Sequence, residues 1–189
     1  MIKMKTYLIP KILFLSLFFT GIYCAEAQSN YKLDQKTSEI LIDGTSNIHD
    51  WTIEAEAFNG EMFFDENKNL KSLSLNVPVK HLESGKNSMN KNTYEALKEE
   101  EHPKISFVLD KVEKSGETYI ASGKLSIAGH TENVSIPISF NETGTNKSIK
   151  ANYSINMVDY GVEPPTALFG TIKTGESVTV KVNLIYINQ

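Results

Sequence analysis

Apolar and polar residues alternate with a period of two along most of the chain after residue 30. In the stretch 72–79 every second residue is Leu or Val, and Ser, Asn or Pro stand between them. Such alternation is typical of β-strands that bury one face. The same pattern recurs in the ranges 51–57, 105–109, 119–127, 134–140, 149–157 and 178–184.

These ranges predict an all-β domain. Together with the apolar segments 40–43 and 62–64 they give about eight strands, several of them nearer ten residues than the usual five or six. Turn signals separate consecutive strands, for example Ser115-Gly116 and Ala128-Gly129. Sequential antiparallel strands of this kind build a sandwich or a barrel. Strand length favours the barrel, since tilted strands that close a barrel run long and closure removes exposed edges. The pattern alone leaves the sandwich open.

One segment, residues 87–101, breaks the alternation. Asn92 and Glu95 are spaced like a helix-capping pair, and His102-Pro103 marks an end. We predict a short helix packed across one mouth of the barrel. A surface helix without a functional role is the alternative.

The first 27 residues have the order of an export signal. Lys3, Lys5 and Lys11 precede an apolar stretch that is short for a membrane span, and Ala25-Glu26-Ala27 offers the small residues a signal peptidase inspects. We expect cleavage after Ala27, a single domain over residues 28–189, a periplasmic or secreted location and no stable membrane span afterwards. The alternatives are lipid attachment at Cys24, which the bulky Tyr23 disfavours, and a retained anchor.

Composition argues against a nucleic-acid partner. All 19 basic residues are Lys, and the chain carries a net charge of −4, which loss of the three signal lysines makes more negative. Recognition of phosphate and base edges relies on Arg, and an acidic surface repels a phosphate backbone. The single Cys lies in the signal, so the exported domain has no disulfide and depends on its own core, which suits a bacterial envelope protein.

Candidate catalytic and metal-binding residues are sparse. No motif places a nucleophilic Ser beside a base, and the four His residues stand singly rather than at metal-ligand spacing. His49-Asp50 could form a dyad, but neighbours on a strand point to opposite faces, so a local turn contact is the better interpretation. We expect no catalytic residue, no metal and no cofactor.

Several segments together resemble the YceI-like family in order and spacing across about residues 31–187. They are GTSNIHDW at 44–51, GEMFFD at 60–65, MNKNTYEAL at 89–97 leading into HPKISF at 102–107, GKLSIAGHT at 123–131 and GESV at 175–178.

This resemblance implies a lipocalin-like antiparallel barrel, export to the bacterial envelope, and binding of polyisoprenoid or similar amphiphilic lipids in the interior. One segment departs from the family pattern. Many members carry a His-Ser start and a second His after the first long strand, whereas this chain has Ser46-Asn47-Ile48-His49-Asp50-Trp51. The departure leaves the identity of the ligand open.

Small residues recur at the positions predicted to face inward. Ala55, Ala57, Ala121, Gly123 and Ala151 either leave room for an apolar chain or offset large side chains in a close-packed core. The resemblance favours a cavity, because an eight-stranded barrel can hold one ligand. We predict a lipid cavity lined by Trp51, Ala55, Ala57, Phe63, Leu75, Val77, Phe107, Leu109, Ala121, Gly123, Leu125, Ile136, Ile138, Tyr153 and Ile155.

Charged residues are absent from the inward rows between 73 and 157, so only the mouth could contact a polar headgroup. Candidates there are Lys80, His81 and Lys86, or His49 and Asp50. A carrier of a long-chain lipid is the leading hypothesis. A non-catalytic structural or stress-related envelope protein with a filled core comes second, and an enzyme acting on a lipid-like substrate third. The sequence predicts no oligomeric state.

Overall fold

The computed structural model describes residues 29–189, and the predicted export signal, residues 1–27, lies outside the described residues. The described part consists of twelve strands, one α-helix and two 3-10 turns, at Val79–His81 and Met157–Tyr160. In chain order the elements are β1 Ser29–Leu33, β2 Glu39–Ser46, β3 Trp51–Ala55, β4 Asn59–Phe64, β5 Leu70–Pro78, β6 Leu82–Glu83, α1 Asn87–Ala96, β7 Lys104–Ser115, β8 Thr118–Ile127, β9 His130–Thr143, β10 Asn146–Asn156, β11 Thr166–Ala167 and β12 Ile172–Asn188.

Eight strands form a closed antiparallel barrel. Their order is β1-β4-β5-β7-β8-β9-β10-β12, and the pairing of β1 with β12, with Tyr31 opposite Asn188, closes the ring. The barrel predicted from the alternating pattern is therefore confirmed, and the sandwich is wrong. Closure pairs the backbone of every ring strand on both sides, which leaves no open edge along the ring.

The first strands of the chain are interrupted and extend the barrel at one end. Both β1 and β2 pair with the same edge of β12, β1 at residues 186–188 and β2 at residues 174–183. Next to them in the sheet, β4 pairs with β1 and β3 pairs with β2. The short strand β6 pairs with β3 beyond the end of β5. The break between β1 and β2 is a turn in which Asp34 accepts hydrogen bonds from Lys36 and Thr37. A cavity opens at the extended end.

Burial follows the predicted alternation along the long strands. In β8 the face with Ala121, Gly123, Leu125 and Ile127 is buried, and the residues of the opposite face are partly or fully exposed to solvent. The same alternation corrects one assignment in β4, where Met62 and Phe64 face inward. Phe63 lies between them and is exposed on the outer wall, because period two cannot turn three consecutive apolar residues to one side.

The prediction that Ala57 faces the interior from a strand is also wrong. Ala57 lies between the end of β3 and the start of β4, so it belongs to no strand and to no inward row. The predicted extent of the helix was also too long, because α1 ends at Ala96 and residues 97–101 form turns. Asn92 and Glu95 do not cap it, since Lys86 is the N-cap residue and provides no side-chain hydrogen bond.

Aromatic rings and one lysine close the end of the barrel opposite the extension. Tyr31 packs edge-on against Phe64 with ring centroids 5.5 Å apart, and Tyr119 packs edge-on against Phe140 at 6.1 Å. The Lys147 ammonium lies 5.2 Å from the Phe64 ring centroid, within range of a cation–π contact, and pairs with Glu142. These side chains pack across that end of the barrel and narrow the interior there. Over residues 29–189 no helix is both long and apolar enough to cross a membrane.

Candidate functional site

A cavity with a volume of about 650 Å³ opens at the extended end of the barrel. We call it the wide section. Its walls come from β2, β3, β10 and β12, through residues such as Ile42, Ile53, Ile155 and Val178. The helix α1 borders one side with Met89 and Asn92, and the segment around β11 borders another with Ala167 and Leu168. The predicted position of the helix at a barrel mouth is confirmed.

A second cavity of about 120 Å³ continues the first toward the closed end. We call it the narrow section. Ile155 and Val180 line both sections, so the two adjoin. Apart from Tyr153, every residue that lines the narrow section is purely apolar. The two sections together place apolar space from the mouth to the middle of the barrel.

The structure places most of the predicted lining residues on these two sections. Trp51 borders the wide section, and Ile155 borders both. The narrow section is lined by Leu75, Phe107, Leu109, Ala121, Leu125, Ile136, Ile138 and Tyr153. Ala55 and Val77 are buried in the core but border neither section. Phe63 and Ala57 belong to neither, for the reasons given above.

Gly123 does not leave space for a ligand. A Cβ at this position would lie 2.8 Å from Cζ of Phe107 and 2.3 Å from the carbonyl oxygen of Val108. The Phe107 ring thus occupies the room that the missing side chain provides. Of the small inward residues, Ala121 and Ala151 border open space, whereas Gly123 serves close packing.

A carboxylate on β6 fastens α1 across the mouth. The Tyr94 hydroxyl donates a hydrogen bond of 2.8 Å to Oε1 of Glu83, and the Asn90 side-chain amide donates to Oε2. Burial, followed by the hydrogen bond to Glu83, raises the pKa of Tyr94 to about 12, so the phenol keeps its proton at neutral pH. Asn90 is itself buried and accepts hydrogen bonds from Ser84, which completes its pairing.

On another side of the mouth, Asn47 joins two loops. Its side-chain amide donates to the Thr171 carbonyl oxygen at 2.9 Å, and its side-chain oxygen accepts from the Lys173 amide at 2.9 Å. The backbone N–H of Asn47 also donates a hydrogen bond to the carbonyl oxygen of Lys173. The loop after β2 is thereby held to the β11–β12 hairpin, whose Leu168 borders the wide section.

Apart from Tyr153, the polar side chains that line the two sections border the wide section. Among the predicted headgroup contacts, His49 and Lys86 border the wide section, whereas Lys80, His81 and Asp50 do not. Ser46, Asn92 and Thr174 add hydroxyl and amide groups at the same place. Nδ1 of His49 lies 2.8 Å from the carbonyl oxygen of Asp50, which is the local turn contact expected for this pair.

The histidines are dispersed in space as they are in sequence. His102 packs against Gly129, and His130 packs against Gly161. Both glycines have positive φ, so each ring covers a turn that has no Cβ. In the part of the chain that the structure describes, no group of three His, Cys, Asp or Glu residues is placed to hold a metal ion.

Comparison with known proteins adds a family and a set of similar folds. The model of the YceI-like domain matches residues 31–186. BcnA from Burkholderia cenocepacia is similar in structure, with a TM-score of 0.70, 19% identity, and coverage of 81% of this chain and 98% of that chain. None of the curated proteins compared with the chain matches it significantly in sequence.

Two further solved structures share the architecture. A polyisoprenoid-binding domain from Saccharophagus degradans, implicated in plant cell wall breakdown, matches with a TM-score of 0.68, 14% identity, and coverage of 84% of this chain and 98% of that chain. The YceI protein of Campylobacter jejuni matches with a TM-score of 0.60, 14% identity, and coverage of 77% and 84%. At these identities the likeness concerns the fold.

Proposed function

The chain belongs to the YceI-like family, and from that premise we propose that it is a binding protein that carries one long-chain amphiphilic lipid, of the polyisoprenoid kind, inside the barrel. The observation that carries the proposal is the pair of adjoining cavities, a wide section at the mouth and a narrow apolar section behind it. A similar fold occurs in a domain that binds polyisoprenoid in Saccharophagus degradans, which supports this choice of ligand class.

The shape of the cavity suits a ligand with a long apolar tail. A volume of about 650 Å³ lies within the range of small-molecule sites, which are mostly apolar with a few convergent polar groups. Each methylene group transferred from water into such an interior contributes roughly 0.8 kcal/mol. The narrow section accepts no polar group, because its lining could not pair one. The tail therefore enters first and reaches toward the closed end.

The polar end of the ligand stays at the entrance. Lys86, His49 and Asn92 border the wide section there and offer a cation, an imidazole and an amide. A phosphate or hydroxyl headgroup suits these donors. Because they surround the opening rather than converge inside it, they favour binding of the headgroup near the protein surface.

The role we propose is binding rather than catalysis. The polar residues that border the wide section are spread over β2, α1 and β12, and Nδ1 of His49 faces the backbone carbonyl oxygen of Asp50 rather than a side-chain nucleophile. A purely structural protein with a filled core is the second hypothesis from the sequence. The open wide section does not suit it, because a filled core leaves few voids larger than a water molecule.

We also propose that the carrier works outside the cytoplasm. The support is the sequence of residues 1–27, with its charged start, apolar stretch and Ala25-Glu26-Ala27. Intact-mass measurement of the exported protein tests this step. A chain that begins at Gln28 is expected. A lipid-modified Cys24 at the new N terminus would contradict cleavage after Ala27, and an uncleaved chain found only in the cytoplasmic fraction would contradict export.

Lipid binding is tested by purifying the protein without detergent, extracting it with organic solvent and analysing the extract by mass spectrometry. An unrelated protein of similar size, prepared in parallel, is the control for lipid carried over nonspecifically. We expect a long-chain amphiphile enriched over the control. An extract indistinguishable from the control, from protein that also takes up no polyprenyl phosphate when mixed with it, would refute the proposal.

A further inference from the structure

Three large apolar side chains are exposed in the two loops that Asn47 joins. Phe169 is fully exposed, Leu168 is 67% exposed and Ile48 is 58% exposed. We call these three residues the apolar tip. Single exposed apolar residues are common, but three of them on two loops that hydrogen bonds of Asn47 join, beside the entrance of an apolar cavity, point to an interaction site.

The backbone of the tip is strained. Leu168 and Phe169 have φ values of 49° and 55°, and the Gly170 amide donates a hydrogen bond to the Ala167 carbonyl oxygen around them. Two successive residues with positive φ are normally Asn and Gly, and bulky side chains rarely adopt this conformation. At these two positions a bulky side chain disfavours the backbone conformation, and its exposure to water is unfavourable as well. Such a combination points to a function for the two side chains.

The tip carries no ionisable side chain. Residues 46–48 are Ser-Asn-Ile, and residues 168–171 are Leu-Phe-Gly-Thr. Next to them lie the exposed Lys173 and Asp50, of opposite charge, and the exposed imidazole of His49, so no cluster of like charge surrounds the tip. A surface of this kind suits the apolar boundary of a bilayer, where charged groups are costly and Phe and Leu are favoured.

The tip is also continuous with the cavity. Leu168 borders the wide section, and His49, the residue after Ile48 in the chain, does so as well. A ligand with a long apolar tail has its source in a lipid phase, and transfer out of that phase through water exposes the whole tail at a cost that grows with each methylene group. A mouth rimmed by an apolar tip would shorten that exposure.

We propose that the apolar tip inserts into the outer layer of a phospholipid bilayer and docks the cavity mouth there for loading or release of the ligand. This inference rests on the proposed function, because it assigns the surface through which the bound lipid enters. It commits to a bilayer as the partner rather than to a second copy of the chain or to another protein.

The test is flotation of the protein, as purified from the cells that produce it, with vesicles of pure phosphatidylcholine. The variant Ile48→Ser/Phe169→Asn removes two tip side chains that do not border the cavity, and Asn tolerates positive φ. Phe63→Asn, which removes the exposed ring on the outer wall of β4, is the matched control.

We expect wild type to float with the vesicles and the double variant to partition about tenfold more weakly, with little dependence on salt. Phe63→Asn should float like wild type. Because Asn relieves the strain at Phe169, the thermal midpoint of Phe169→Asn alone should stay the same or rise.

Five results would overturn the inference: wild type that does not float, a double variant that floats like wild type, equal loss of flotation in Phe63→Asn, a marked fall in the thermal midpoint of Phe169→Asn, or sedimentation showing a wild-type dimer that the double variant loses. The last result would assign the tip to a second copy. If extraction still yields a bound amphiphile while any of these occurs, only the docking surface is wrong and the binding function stands.

Discussion

The ring of Phe107 lies over Gly123, so closely that a Cβ on Gly123 would be 2.8 Å from Cζ of the ring. Two residues earlier on the same side of β8, Ala121 borders the open narrow section instead. Two neighbouring inward positions of one strand therefore have different roles: Gly123 makes room for the Phe107 ring, and Ala121 leaves part of the narrow section open. Substitutions at the two positions should have opposite consequences.

Gly123→Ala should destabilise the fold. The new methyl group would meet both the Phe107 ring and the Val108 carbonyl oxygen, and the backbone atom cannot move without disturbing the β7–β8 ladder. Overpacking of this kind costs about 1–3 kcal/mol. Chemical denaturation measures the free energy of unfolding, and a value equal to that of wild type would show that Phe107 has room to retreat.

Ala121→Leu should leave the fold intact and shorten the cavity. The larger side chain enters the narrow section and buries apolar surface there, so the free energy of unfolding should remain within about 1 kcal/mol of wild type. Mass spectrometry of extracted lipid should show less ligand and shorter chains. An unchanged lipid profile in a folded Ala121→Leu protein would mean that the ligand tail does not reach the narrow section.

The strands could be predicted from sequence because each strand of a barrel wall has one face in the apolar interior and one in solvent, so apolar and polar residues alternate along it. Rows such as 149–157 and 178–184 read directly as inward and outward positions, and the resemblance then supplied the lipocalin-like barrel. The method failed where alternation stops. Met62, Phe63 and Phe64 are all apolar, and only the register of β4 shows that Phe63 faces outward.

The mouth of the cavity was much harder to predict. Asn47 meets the backbone of Thr171, 124 residues later in the chain, and no local pattern marks that contact. Tyr160 and Leu168 border the wide section from turns without periodicity. Asn92 was interpreted as a capping residue from its spacing to Glu95, but it lies inside α1 and borders the cavity. Such residues are brought together by the tertiary fold.

Tyr94→Phe should loosen α1 over the mouth. The substitution removes the hydroxyl that donates to Glu83 and leaves one carboxylate oxygen without its protein partner. We expect a loss of about 1 kcal/mol of unfolding free energy and faster release of a fluorescent lipid analogue to acceptor vesicles.

Lys91→Ala is the control for this experiment. Lys91 also lies on α1, but its pair with Glu95 is exposed and contributes little to stability. Release from Lys91→Ala should match wild type. If both variants release lipid at the wild-type rate, α1 does not control access to the cavity.

Asn47→Asp should separate the two loops of the mouth. The carboxylate can still accept from the Lys173 amide, but it can no longer donate to the Thr171 carbonyl oxygen and repels it instead. The β11–β12 hairpin should open more often, and chymotrypsin should cut faster after Phe169. Asn152→Asp, at an exposed site on β10, makes the same chemical change elsewhere and should be cut like wild type. Equal cutting of Asn47→Asp and wild type would refute the role of Asn47.

Native mass spectrometry of the intact protein, purified without detergent, tests the central claim most directly, because it weighs the protein together with whatever the barrel holds. We predict a species heavier than the bare chain by the mass of one long-chain amphiphile, and conversion of that species to the bare chain after organic extraction. The adduct should reappear when polyprenyl phosphate is added back. A spectrum showing only the bare chain, before extraction and after the addition of polyprenyl phosphate, would contradict the account.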